Sequence, residues 1–281
     1  MKKIIAIVCA LACALCFFSC KGNKDDVKET VKDIKENEKV VGKGYYEGEK
    51  LVREEFLDDS DEVVKKVFYS DDEKVEKEEE FFSGSLKSDT AYTYGEDGKY
   101  TTKKNNYNKA GEVKSVVDSE FKDGKLTKET KSTLDKDGKA TVTEEYHYKY
   151  NEDGTVTKSQ KENGETVKDI VSDADGKELY SVDYLEDGKI QKKYFNEKGK
   201  VIKTENINKD GKVTRSIENL FDENGQPTGY REYDENGNLD YYGEYEYVER
   251  KLRKIVVYDA AGEVVRMVTY DENGKAEITE N

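Results

Sequence analysis

Tryptophan is absent from this chain, proline and histidine occur once each, and no cysteine follows Cys20. Cys9, Cys13 and Cys16 sit inside an N-terminal apolar run, so the downstream chain has neither a disulfide framework nor a cysteine metal site. His147, in EEYHYKY, has no second imidazole for zinc and no specific nucleophile to serve, and reads as a strand residue. A phosphate loop, G-x-S-x-G and H-E-x-x-H are also missing. Carboxylates are everywhere among 63 acidic residues, so no pair stands out for acid–base work. The expectation is a protein with no catalytic, cofactor-binding or metal site.

Apolar residues are scarce at 34%, charged residues reach 40%, and the net charge is −15. That balance repels nucleic acid and anionic headgroups, and excludes a nucleic-acid role. Such composition alone would suggest disorder. The 21 tyrosines argue otherwise, because strands are rich in aromatics. The chain is expected to fold without a thick core.

The N-terminus supplies an address. Lys2 and Lys3 precede the apolar run 4–18, which is shorter than the roughly 20 residues of a membrane-spanning helix. Ser19-Cys20 closes the run, and the sequence is polar from Lys21. This arrangement resembles a bacterial lipoprotein signal of the relaxed type found in spirochaetes, with Phe17 where leucine is usual. The resemblance implies removal of residues 1–19 and lipidation at Cys20, which alone of the four cysteines lies at the apolar-to-polar boundary. Several acyl chains would anchor the protein firmly where one would not. It also implies a place in the bacterial envelope, at the outer membrane or cell surface. Residues 20–40 are expected to form a lipidated tether, flexible or a short helix, since Val27, Val31 and Ile34 make one thin stripe. Residues 41–281 form the repeat domain.

What the chain has in abundance is one phrase. YNEDGTV (150–156), INKDGKV (207–213), YDENGNL (233–239) and YDENGKA (270–276) are clear copies, as are FKDGKL (121–126) and YLEDGKI (184–190). Degenerate copies reach back to YYEGEKL (45–51) and YSDDEKV (69–75). Turn signals recur about every twelve to thirteen residues, which indicates short strands in an all-β protein. In each copy glycine is expected to close a three-residue hairpin loop with a bulge, and the Asn or Asp before it to bond locally. Tyr233 and Leu239 then face each other across the hairpin. VIKTENI (201–207) spans one strand, and its parity puts the signature residues of successive strands on one face. The predicted product is a long antiparallel meander of about 18 strands, mostly one layer thick and twisted, extending roughly 80–90 Å if it stays open. Lysine and glutamate stems would cover its rings.

The Y-D-x-x-G-x-φ phrase resembles YD repeats of the RHS type, and GYREYDENGNLDYYGEY (229–245) resembles the MORN-variant repeat. YFNEKGKVIKT (194–204) is similar to spirochaetal outer-surface lipoproteins with a free-standing sheet. These resemblances cover about residues 45–281 and imply a scaffold, a surface protein or a toxin-neutralising partner.

Three stretches invite a site. DKDGK (135–139) and DADGKE (173–178) share part of a calcium loop, but Thr133 and Val171 stand where an oxygen ligand is needed, and turn chemistry explains both. Asp58-Asp59-Ser60-Asp61 reads as a solvated acidic turn. In NLDYYGEYEYV (238–248), Leu239, Tyr241, Tyr245 and Tyr247 are expected to line one face around a notch at Gly243. The plainer reading is tyrosines packed under lysine and arginine stems. A partner, if there is one, would be a basic protein or a host matrix component.

Overall fold

The computed structural model describes residues 29–280. The candidate signal 1–19, Cys20 and the tether up to residue 28 lie outside the described residues. Among the described residues, twenty-one strands run from β1 (Glu29–Glu36) and β2 (Lys39–Glu47) to β20 (Val264–Tyr270) and β21 (Ala276–Glu280). Each strand pairs antiparallel with its sequence neighbour, as in β1 with β2 and β20 with β21. No pairing joins β1 to β21, so the sheet is an open meander and not a barrel. The strand count exceeds the expected 18. Part of the excess is β1, a strand where a tether or short helix was expected. The turn at Asn37 and Glu38, φ 49° and 67°, folds it onto β2.

Among the described residues the buried apolar side chains are a few valines, Val67, Val116, Val171, Val256 and Val257, together with Ser88, Ser119, Ser132 and Ser181. That is what a single layer allows.

Most loops share one geometry. In Asp234–Asn238 the Asp234 amide donates to the Asn238 carbonyl at 2.9 Å and the Gly237 amide to the Asp234 carbonyl at 3.1 Å. The Asp234 carboxylate then accepts from the amides of Asn236 and Asn238, both at 2.8 Å. Asp58, Asn108, Asp135, Asp173, Asn196, Asn208, Asp259 and Asp271 hold their loops the same way. The local acceptor is therefore the residue that opens the loop and not the one before glycine. Only at 151–155 does the inner residue, Asp153, take the Thr155 amide.

Where the opening acceptor is missing, the loop changes. Gly95 and Leu185 cannot accept, and there Asp97-Gly98 and Asp187-Gly188 are both left-handed. Glu186–Gly188 is the single 3-10 turn among the described residues. FKDGKL, read as a three-residue loop, closes in two residues, Asp123 and Gly124, with φ 51° and 75°. Positive φ at both central positions defines the type I′ turn.

Sixteen of the twenty hairpins carry a bulge within the first four residues of the second strand, and this overturns the expected face parity. In β14 (Ile190–Phe195) and β15 (Val201–Ile207), Phe195 pairs with Val201 but Tyr194 pairs with Lys203. Ile202 is the extra residue, so Val201 and Ile207 point to opposite faces. Bulged threonines add a bond: Thr214 and Thr127 donate to the carbonyls of Asn206 and Glu120 across the ladder, at 3.2 and 3.0 Å. Alternate loops on one margin are tied together by basic side chains. Lys39 reaches Asp59 at 2.6 Å, Lys212 reaches Glu235 at 3.1 Å, and Lys200 reaches the Gly225 carbonyl.

With no second layer, the rings are covered by charged side chains. Lys192 lies 4.1 Å from the Tyr180 ring centre and 4.8 Å from that of Tyr194. The Tyr194 hydroxyl donates to Glu205 at 2.9 Å, and Lys203 pairs with the same carboxylate at 2.8 Å. Arg53 covers Tyr45 at 3.9 Å, while the Tyr45 hydroxyl donates to Glu55 at 2.7 Å. Burial alone would raise Glu205, but the bonds from Lys203 and Tyr194 hold it below the usual carboxylate range. Burial, and then the bond to Glu205, push the Tyr194 phenol up to about 12.

Two outcomes follow. The unfolded phenol ionises near 10.0, so the stabilisation by Tyr194 is complete below that pH and is lost as pH rises toward about 12. Denaturant titrations across this window should show a smaller loss for Tyr194→Phe than for the wild type, and equal slopes would contradict the assignment. Glu73 occupies, at φ 59°, the left-handed site that glycine fills in other loops. Glu73→Gly should raise the unfolding free energy by about 0.5–1 kcal/mol in a urea titration.

Candidate functional site

The tyrosine-rich stretch forms β18 (Leu239–Val248), between β17 (Pro227–Tyr233) and β19 (Lys251–Asp259). Tyr233 opposes Leu239 as the repeat predicts, but the next pair is Glu232 with Tyr241. Asp240 is therefore a bulge, and it turns Leu239 to the face opposite Tyr241. Tyr241, Gly243, Tyr245 and Tyr247 keep their alternation on the other face. Tyr241 is exposed, whereas Tyr245 and Tyr247 are half-buried.

The expected notch at Gly243 is filled. Tyr230, its direct cross-strand partner, lies over it so closely that a methyl group there would strike the ring. Tyr230 also meets Tyr245, with ring centres 6.3 Å apart. What remains is a shallow depression of about 460 Å³ lined by Arg215, Tyr230, Glu232, Tyr241, Val257, Val265, Arg266 and Glu280. Arg215, from β16 (Val213–Phe221), grips Glu232 through two bonds, one of them Nη2 to Oε2 at 2.6 Å. The bond to Glu232 raises the guanidinium further above its ordinary value. Arg266 stands 3.6 Å from Glu280, and both side chains are largely in water. Burial raises the Tyr230 phenol. Its lining mixes tyrosine and valine with two arginine–carboxylate pairs, an arrangement suited to contact with another protein's surface.

Reading the chain alone missed Arg215, Tyr230, Glu232 and Arg266. Arg53 is the sole arginine before Arg215, while Arg231, Arg250, Arg253 and Arg266 follow it. That shift from lysine to arginine was a usable signal, since arginine and tyrosine together mark contact surfaces.

Elsewhere the suggestive residues are occupied by structure. His147 lies 2.7 Å from Glu145, and Lys128 reaches the same carboxylate oxygen at 3.3 Å. Asp135 and Asp173 each spend one oxygen on their own loop, Asp58 does likewise, and Asp59 pairs with Lys39. Among the described residues no group of three or more His, Cys, Asp or Glu is placed to hold a metal ion.

The architecture defines the class: an open, single-layer antiparallel β-repeat sheet. No family model matches the sequence, and no curated protein matches it. Among solved structures, a Staphylococcus aureus TarM complex is similar over 37% of this chain, at 14% identity and a TM-score of 0.25. A TcdB2-TccC3 structure aligns with 90% of the chain, at 11% identity and a TM-score of 0.28. A porin-like protein from Bacteroides vulgatus aligns with 91%, at 13% identity and a TM-score of 0.21. The aligned part is 19% of the TarM chain, 15% of the TcdB2-TccC3 chain and 98% of the porin-like protein. Likeness at these scores carries no argument, so function is read from the surface itself.

A paired substitution tests the packing under the patch. A methyl group at Gly229 would strike the Gly243 carbonyl oxygen, which belongs to the backbone, whereas one at Gly243 meets a ring that can turn aside. Gly229→Ala should cost about 1–3 kcal/mol in urea unfolding, and Gly243→Ala less. The reverse order would show that the ring cannot move.

Proposed function

We propose that this is a non-enzymatic bacterial envelope protein, anchored by acyl chains on Cys20, whose open sheet serves as a broad contact surface for a basic protein. The observation that carries the reading is the face around Tyr241. Its tyrosines and charged side chains are spread across several strands and form no deep pocket, which favours a protein over a small molecule. The net charge of −15 favours a basic partner, with attraction that weakens as salt rises. Surface exposure, with a host matrix component as partner, is the form of the reading we favour. The polar Lys21 after Ser19-Cys20 supports it.

Metabolic labelling with an alkyne fatty acid tests the anchor. The wild type should carry the label, Cys20→Ser should lose it and leave the membrane fraction, and equal labelling of both would refute lipidation. Protease treatment of intact cells tests exposure, and complete protection would refute it. For the contact surface, the triple Tyr241→Ser, Tyr245→Ser, Tyr247→Ser variant should lose capture of a basic matrix protein while its strand content by circular dichroism is unchanged. Because Tyr245 packs on Tyr230, Tyr241→Ser alone is the cleaner variant, and capture at wild-type strength by that variant would sink the assignment.

A further inference from the structure

The two edges of the sheet are guarded differently. An edge strand exposes unpaired backbone groups, and lysine, proline or a bulge ordinarily blunts it. β1 carries Lys32 and Lys35 along its eight residues, and the one extra residue in its ladder is Val41, on β2. β21, AEITE, is short at five residues and carries Glu277 and Glu280, but contains no lysine and no proline, and its ladder with β20 runs unbroken from Tyr270–Ala276 to Arg266–Glu280. Every residue of β21 is exposed, and Ile278 is 62% exposed.

Ile278 is also the last member of an apolar row. It pairs with Val268, Val268 with Ile255, and Ile255 with Tyr245, which meets Tyr230. Cross-strand neighbours of this kind stabilise a sheet by packing on both sides. Val268 and Ile255 have a partner on either side, and Ile278 has one on only one side among the described residues.

We propose that β21 is a self-association edge, pairing antiparallel with β21 of a second copy about a two-fold axis through Ile278. A two-fold axis perpendicular to the sheet keeps each residue on its own face, so only a few registers exist. Centred on Ile278, the pairing sets Ile278 against its own copy, Glu277 against Thr279 and Ala276 against Glu280. No carboxylate opposes another, and the apolar row continues into the second molecule. Centring on Glu277 would set that carboxylate opposite itself, and centring on Thr279 would set Ile278 opposite Glu280. Both are penalised. The occupant is therefore a second copy of this chain, selected by charge and by the continuing row. The inference uses the fold alone and does not depend on the anchor or on the Tyr241 face.

Directly opposed residues of an antiparallel pair bring their Cα atoms within disulfide reach. Ile278→Cys in the full-length protein, oxidised mildly in whole-cell extract, should give a covalent dimer that the parent chain does not give. Val31→Cys, at the 52% exposed position on the other edge, should not cross-link. In sedimentation, Ile278→Lys should weaken self-association by about ten-fold or more, and Ile278→Val should preserve it. Absence of the Ile278→Cys dimer, equal cross-linking at Val31→Cys, or unchanged association of Ile278→Lys would each overturn the proposal.

Discussion

The hairpin loop that opens with Asp or Asn and closes with a left-handed glycine is the constraint from which the rest of the structure follows. The side chain of its first residue bonds to amides two and four residues on, as Asp234 does to Asn236 and Asn238. The loop is therefore closed by bonds contained within it, and each strand receives its direction and register from the loop before it. A chain with so little apolar surface cannot rely on a core to choose among registers. Local closure, repeated along the sequence, makes that choice instead.

A sheet one layer thick must still shelter its rings from water. It does so with the side chains that make the sequence look disordered. The ammonium of Lys192 lies over two tyrosine rings. Tyr194 and Glu205 share a bond beneath it. Each exposed ion pair contributes little alone. The benefit lies in covering rings and in fixing phenols as donors to carboxylates; burial above all pushes Tyr148, Tyr184 and Tyr194 upward, and the bond to Asp89 above all does so for Tyr107. Tyr107, Tyr148, Tyr184 and Tyr194 all reach about 12. The high charge is thus part of the packing.

Much of this was legible in the sequence, because the loop chemistry is local. The spacing of D-E-N-G phrases predicted an antiparallel meander, and the Tyr233–Leu239 pair falls where the phrase puts it. The faces were not legible. A bulge at Ile202 or Asp240 has no composition of its own, since one is aliphatic and the other acidic, and the loop geometry that demands it is visible only once strands are paired. Each bulge exchanges the faces, so Leu239 parted from Tyr241. For the same reason the candidate site was half right. Tyr241 is on an exposed aromatic face, but its companions are Tyr230, Arg215 and Arg266 from other strands, brought there by a register no single strand reveals. β1 was missed because Val27, Val31 and Ile34 follow the helical spacing, and KETVKDIKE carries too few apolar residues for a strand's period of two to show.

Openness is the property on which the contact surface, the free edges and the covering layer all depend. Small-angle X-ray scattering extrapolated to infinite dilution measures it most directly. Twenty-one strands laid side by side span roughly 95 Å, which corresponds to a radius of gyration of about 30 Å. A compact globule of this length would give about 19 Å. A value near the larger figure is what this structure predicts. A value near the smaller one would mean that the sheet closes or folds on itself, and would contradict the account.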